Sequence, residues 1–224
     1  MLQLNPIVTS IFSILIVFSL LLNFVMLGSH WLKNYIYAFA AESWIIAVLS
    51  IGIAFFSGIN DLYIVGVLTL LFRGIILPWL LDRMINKLQI KRELHSVLPA
   101  STSLILCITL VIFAFIIATQ LAHQLQLTNK VMILALMTML SIQLIGFLLL
   151  AIRDQAISKI LALLVLENGI FLGSLFLVPG MPMFIELVIL FDLLIVVASF
   201  AILVNYLYTH VGSTSTRELK RLVG

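Results

Sequence analysis

The chain has 224 residues, of which 63% are hydrophobic and 9% are charged, and its formal net charge is +3. Soluble domains carry roughly 25% charged residues, so this composition, with a mean hydropathy of +1.28, excludes a soluble globular fold. The single cysteine, Cys107, lies inside an apolar run and excludes an intramolecular disulfide. The small net charge does not indicate nucleic-acid binding.

Seven continuous apolar runs follow one another along the chain. A bilayer core needs roughly 20 apolar residues per helix. The sequence therefore predicts an all-α integral membrane protein with seven transmembrane helices, at 7–27, 36–58, 62–82, 98–121, 131–152, 157–178 and 184–208. We expect the first run to be a retained helix, because it is too long for a signal peptide and lacks a small-x-small cleavage site. Pro78 lies inside the third predicted span and should kink it.

Basic residues in the predicted loops and tail lie almost entirely on one side of the membrane. Lysine and arginine concentrate in the cytoplasmic loops of membrane proteins. With seven spans, Lys130 falls on one side, and ten basic residues fall on the other: Lys33, Arg83, Lys87, Lys91, Arg92, Arg153, Lys159, Arg217, Lys220 and Arg221. This distribution predicts an N-terminus outside the membrane and a C-terminus in the cytoplasm.

Four charged residues lie inside the predicted spans and away from the span ends: Glu42, Arg73, Glu167 and Asp192. A charge near the bilayer centre costs at least ~2.5–3.5 kcal/mol on insertion scales. Two interpretations stay open. In one, Arg73 pairs with a carboxylate and holds helices together; in the other, the four residues line a hydrated proton path or bind an ion. One arginine cannot neutralise three carboxylates, so at least one acid should be protonated or hydrated.

Glu167 is predicted to be the most functionally demanding of the four. It lies near the middle of its span, and its short side chain cannot reach water at the membrane surface. Asp192 is the best candidate for a second proton site, because its helix follows after a short proline-containing turn. Asn168 is not expected to share a helix face with Glu167. The sequence has no metal-ligand spacing, phosphate loop or nucleophile motif, so we expect no catalytic centre, metal or cofactor.

The first three and last three predicted spans share a layout. Each set begins with a featureless apolar helix. Each second helix carries an acid, which is Glu42 in the first set and Glu167 in the second. Each third helix carries a charge directly after Leu-Phe, which is Arg73 in the first set and Asp192 in the second. The shared layout indicates an internal duplication of a three-helix unit.

The fourth predicted span explains how two such units could share one orientation. Three spans is an odd number, so direct fusion would invert the second copy in the membrane. The segment 97–122 contains no charged residue. We predict that it is a spacer helix, which joins a first repeat at 1–96 to a second repeat at 123–224 in parallel orientation.

These units resemble a known group of membrane subunits. A three-helix unit with an acid in its second helix and a charged group in its third is similar to the K subunit of respiratory complex I (NuoK) and the C subunit of Mrp antiporters. Two such units in one chain resemble the E component of hydrogenase-4 (HyfE). The resemblance covers nearly the whole chain and is most specific at Leu166-Glu167-Asn168-Gly169, Asp192, Arg73 with Pro78, and the C-terminal Leu222-Val223-Gly224.

The resemblance implies a non-catalytic membrane subunit of a hydrogenase-4 or formate-hydrogenlyase-like, complex I-related assembly in a bacterial plasma membrane. It implies that Glu167 and Asp192 belong to a proton-translocation path, with Glu42 as the first-copy acid and Arg73 as a base in place of an acid. The implied partners are antiporter-like and other membrane subunits and, indirectly, soluble redox subunits. A structural membrane anchor and a stand-alone channel or transporter stay open. The sequence shows no paired discontinuous helices or midplane polar cluster typical of transporters.

Overall fold

The computed structural model describes residues 6–87 and 96–178, together with Phe184, Leu187 and Ala198. Its regular elements are all helical. The helices are α1 (Pro6–Gly28), α2 (Leu32–Ser57), α3 (Asp61–Leu71), a π-helical turn (Phe72–Ile76), α4 (Leu77–Lys87), α5 (Ala100–Gln124), α6 (Lys130–Ile152) and α7 (Ala156–Leu177). The helix α3, the π-helical turn and α4 together form the third span.

Six helices in the described part of the chain are long and apolar enough to cross a membrane. They confirm the first six predicted spans and the multi-pass membrane class. The boundaries differ most at the start of α2 and the end of α4. The seventh predicted span, 184–208, lies outside the described residues apart from Phe184, Leu187 and Ala198. The count of seven helices and the second repeat at 123–224 therefore stay predictions.

The bundle places α2 and α7 inside and α5 at its edge. α1 packs against α2, α5 and α6, while α2 also packs against α3, α4 and α7. α5 packs against α6 and α1 and exposes large apolar side chains, such as Ile105 at 66% and Ile116 at 53%. A helix that is apolar all round and keeps such a face suits contact with lipid. The interior positions of α2 and α7 bring their polar residues together.

Close packing of α6 and α7 depends on glycines. Gly169 and Gly173 are four residues apart, the spacing that lets membrane helices approach closely. A Cβ atom on Gly169 would lie 3.0 Å from Cγ2 of Ile142 and 3.3 Å from the carbonyl oxygen of Met139. This tight contact fixes the segment of α7 that carries Glu167 and Asn168.

Pro78 changes the third span in a way that the predicted kink only partly described. A regular α-helix would pair the carbonyl of Gly74 with the N–H of residue 78, which proline lacks. The chain instead forms a π-helical turn at Phe72–Ile76, and Nε1 of Trp44 donates to the Gly74 carbonyl at 3.1 Å. Single π-helical turns inside α-helices are frequent at functional sites. Arg73 lies within this turn.

Changing Gly74 to Ala should therefore destabilise the protein. The new Cβ would lie 2.6 Å from Cδ1 and Nε1 of Trp44, so the indole must move and release the Gly74 carbonyl. Overpacking of this kind costs about 1–3 kcal/mol. Gly28→Ala is the matched control, because nothing lies within 4 Å of its Cβ position. Thermal unfolding in mild detergent should show a lower midpoint for Gly74→Ala alone. Equal midpoints for the two variants would contradict the packing argument.

Several predicted loop cations gather at one end of the bundle. Nζ of Lys33, at the start of α2, lies 3.4 Å from Oδ1 of Asp82 near the end of α4. At the same end Arg153 follows α6 and contacts the C-terminus of α1. This common end agrees with the charge distribution in the sequence, while the side of the membrane that it faces stays a prediction.

Candidate functional site

A buried polar cluster lies where α1, α2, α7 and the π-helical turn meet, and Glu42 is its most enclosed acid. The Glu42 side chain is fully buried. Its Oε1 accepts hydrogen bonds from Nδ2 of Asn23 at 2.7 Å and from Oγ of Ser19 at 3.2 Å. Ser19 and Asn23 are four residues apart, so both lie on one face of α1. Helix α1 thus supplies donors to an acid of α2.

Asn168 of α7 connects Glu42 to Arg73. Its Oδ1 accepts from a guanidinium Nη1 of Arg73 at 2.8 Å, and its Nδ2 donates to Oε2 of Glu42 at 3.2 Å and to Oγ of Ser43 at 3.4 Å. Arginine has only donors, so the amide oxygen must face Arg73 and the amide nitrogen must face Glu42. The amide therefore separates a base and an acid and forms a hydrogen bond with each.

Arg73 reaches the second acid of the cluster directly. Its Nη2 lies 3.8 Å from Oε2 of Glu167, and its guanidinium lies over the ring of Phe171, 5.7 Å from the centroid. The Arg73 side chain is 1% exposed and that of Glu167 is 14% exposed. Glu167 is therefore the more accessible acid, and Glu42 is reached from Arg73 through Asn168.

The cluster holds one base and two acids. With both carboxyls ionised, the three side chains of Glu42, Arg73 and Glu167 would carry a net charge of −1, and binding one proton would make them neutral. A low-polarity interior penalises net charge strongly. The arrangement can therefore accept and hold a proton, with Arg73 between the two carboxyls. Within the described residues, no three His, Cys, Asp or Glu side chains come together to hold a metal ion.

The structure brings together three of the four predicted site residues. Glu42, Arg73 and Glu167 meet across α2, the π-helical turn and α7. The fourth, Asp192, lies outside the described residues.

Two expectations from the sequence need correction. The first helix is not featureless, since Ser19 and Asn23 contact Glu42. The sequence showed no midplane polar cluster of the kind typical of transporters, whereas the described residues do contain a buried polar cluster. Asn168 and Glu167, which were not expected to share a helix face, contact the same arginine, because its long guanidinium spans two neighbouring directions around α7.

Arg153 was predicted to be a loop cation, and its surroundings are different. The residue is 3% exposed, and its Nη2 donates to the carbonyls of Leu27 at 2.9 Å, Ser29 at 3.1 Å and Met26 at 3.2 Å. Burial lowers the pKa of its guanidinium. These carbonyls belong to the C-terminal end of α1, where helices leave acceptors unsatisfied. Arg153 therefore ties the α6–α7 connection to the end of α1.

The chain is similar to the uncharacterised protein Rv0085 of Mycobacterium tuberculosis. The two sequences are 29% identical over 170 residues, which is 74% of this chain and 76% of the mycobacterial protein. No family model matches the chain, and no solved structure matches it. Because the relative is itself uncharacterised, the similarity assigns no activity, and the buried cluster is the main guide to function.

Proposed function

We propose that this chain is a non-catalytic, proton-conducting membrane subunit of a complex I-related redox assembly of the hydrogenase-4 or formate-hydrogenlyase type. The observation that carries the proposal is the buried series Glu42–Asn168–Arg73–Glu167, which crosses three helices through contacts of 2.8 to 3.8 Å. The sequence resemblance to NuoK-like double repeats supports it, since the two membrane acids of K-type subunits, matched here by Glu167 and Asp192, belong to a proton path in that group.

Proton binding in the proposed path depends on competition for Arg73. A guanidinium close to a carboxylate favours its charged form. With one proton held on either carboxyl, Arg73 balances the charge of the other, so the three side chains stay neutral while that proton moves between the two acids. Asn168 does not titrate, and proton movement between Glu42 and Glu167 therefore needs water beside it. Asp192 is proposed as the next acid in the path, on the basis of the sequence.

A structural anchor is the second candidate, and one observation favours it. The oxygens of Glu42 accept from three different side chains, those of Ser19, Asn23 and Asn168. Such complete hydrogen bonding can hold helices together without any proton transfer. In this case the chain would attach membrane subunits to one another, and removing the titratable groups while keeping the hydrogen bonds would leave the assembly fully active.

Purification from native membranes tests the class of protein. An epitope-tagged chain, extracted in a mild detergent, should come out with antiporter-like membrane subunits and with soluble redox subunits. Extraction at raised ionic strength is a useful second condition, because contacts between exposed charges weaken with salt. A chain that comes out alone and conducts protons in liposomes would contradict the subunit proposal and favour a stand-alone transporter.

The proposed orientation makes a separate prediction. Single cysteines introduced into the 83–95 loop and the C-terminal tail should react only with membrane-permeant reagents in intact cells, because both segments are rich in lysine and arginine. A cysteine in the 179–183 turn should react with an impermeant reagent. Most of these positions lie outside the described residues, so the labelling is independent of the structure. Any other arrangement of the three segments contradicts both the seven-span count and the parallel repeat.

A further inference from the structure

A second polar site lies at the end of the bundle that carries Arg153, away from the acid–arginine cluster. A cavity of about 220 Å³ opens there between the α1–α2 turn, the start of α5 and Arg153. Its polar lining includes Ser29, His30 and Ser96, and Leu98 contributes an apolar wall. We propose that this cavity binds the phosphate group of an anionic phospholipid.

The first argument is the unbalanced charge of Arg153. The residue is 3% exposed, and in the described part of the chain no carboxylate forms an ion pair with it. Its Nε has no hydrogen-bond partner among the described residues, although its Nη2 is used by the α1 carbonyls. A buried donor without an acceptor costs free energy. Arg153 lines the cavity, so an anion there would balance its charge.

The second argument is the orientation of the helices around the cavity. The C-terminus of α1 places a partial negative charge of roughly one half beside Arg153. The N-terminus of α5 places a partial positive charge of roughly the same size beside the cavity. The two helix-terminus charges offset each other, so the positive charge of Arg153 remains unbalanced. Ala100 begins α5 and lines the cavity, and the first backbone N–H groups of a helix are free to bind an anion.

The third argument identifies lipid as the source of the phosphate. The cavity is lined by Gly28 and Ser29, at one end of helices that are long and apolar enough to cross a membrane, and the ends of such helices meet the headgroup region. α5 begins at its edge and exposes Ile105, Ile108 and Ile112 at 66%, 51% and 56%, which offers an apolar surface to acyl chains. Basic pockets between transmembrane helices on the cytoplasmic side are known to bind anionic headgroups.

Ala100→Glu is the decisive variant, since it places a carboxylate at the proposed phosphate position. An acid in the first turn of a helix is favourable, so the variant should fold, whereas Arg153→Gln would also remove the α1 contacts. Thr102→Glu is the matched control: it adds the same charge in the same turn, and Thr102 is exposed and does not line the cavity.

Native mass spectrometry of the full-length protein in neutral detergent provides the measurement. Phosphatidylglycerol, phosphatidylcholine and inorganic phosphate are added in separate experiments. We expect the wild type and Thr102→Glu to retain phosphatidylglycerol over phosphatidylcholine by roughly five- to tenfold, and Ala100→Glu to lose this preference. Retention of inorganic phosphate without lipid preference would overturn the lipid assignment. Equal phosphatidylglycerol retention by all three proteins would overturn the site itself.

Discussion

Changing Glu167 to Gln is expected to stop proton movement while the membrane bundle stays assembled. Glutamine keeps the size of the side chain and leaves a neutral amide near Arg73, whose Nη2 lies 3.8 Å from Oε2 of Glu167, but it cannot bind and release a proton. The loss of one positioned proton-transfer group reduces a rate by roughly 100-fold or more. Proton translocation by the complex in inverted vesicles should fall to background, while its soluble redox activity continues.

Asp61→Asn is the matched control for this experiment. Asp61 is an exposed acid in the first turn of α3, so its amide variant removes the same charge outside the buried cluster. We expect this control to pump like the wild type. Pumping by Glu167→Gln at the wild-type rate would refute the proposed proton path and favour the structural anchor. Lost assembly of Glu167→Gln, seen on purification, would also favour the anchor.

The sequence identified the charged members of the cluster because charges in apolar runs are rare. Glu42, Arg73 and Glu167 each stood out on the insertion cost alone. Their common location could not be deduced, because it depends on which helices become neighbours. Contact of α2 with α7 depends on how the whole bundle packs. The π-helical turn that presents Arg73 involves Pro78, which lacks an N–H, and Trp44 of α2, which donates to the Gly74 carbonyl.

The uncharged members were harder to recognise. Serines are common in membrane helices, and most of them bond to their own backbone, as Ser43 does to the carbonyl of Phe39. Asn23 had a usable signal, since an amide in the middle of an apolar run also requires partners. Asn168 was visible beside Glu167, but helix geometry alone could not show that Arg73 would reach both residues.

Loop charges present the opposite case. Arg153 was counted among the loop cations that predict the orientation, and counting its charge gave no reason to expect burial. Its hydrogen bonds to the end of α1 could not be predicted, because carbonyl acceptors at a helix terminus have no sequence signature. A cation that is counted toward the predicted orientation can therefore also form a buried contact.

Arg73→Gln should be the most destabilising single change in the cluster. Removing one partner of a buried ion pair costs about 3–5 kcal/mol, because an uncompensated charge is left behind. Here Asn168 also loses the donor to its Oδ1. The variant should show a lower level in the membrane and a lower unfolding midpoint in mild detergent. Arg83→Gln is the control, since Arg83 is exposed and lies over the ring of Trp79.

The decisive measurement for Arg73 is a rescue by a second change. Glu167→Gln in the Arg73→Gln background removes the carboxylate that lost its partner, so the double variant should be more stable than Arg73→Gln alone. Contacting residues show coupling energies of about 0.5–3 kcal/mol in such cycles. Coupling of this size would establish that Arg73 and Glu167 interact within the folded bundle, whichever function they serve. Strictly additive losses would instead mean that Arg73 owes its stabilising effect to Asn168 and to other groups around the π-helical turn. In that case a change in the charge of Glu167 would not involve the arginine.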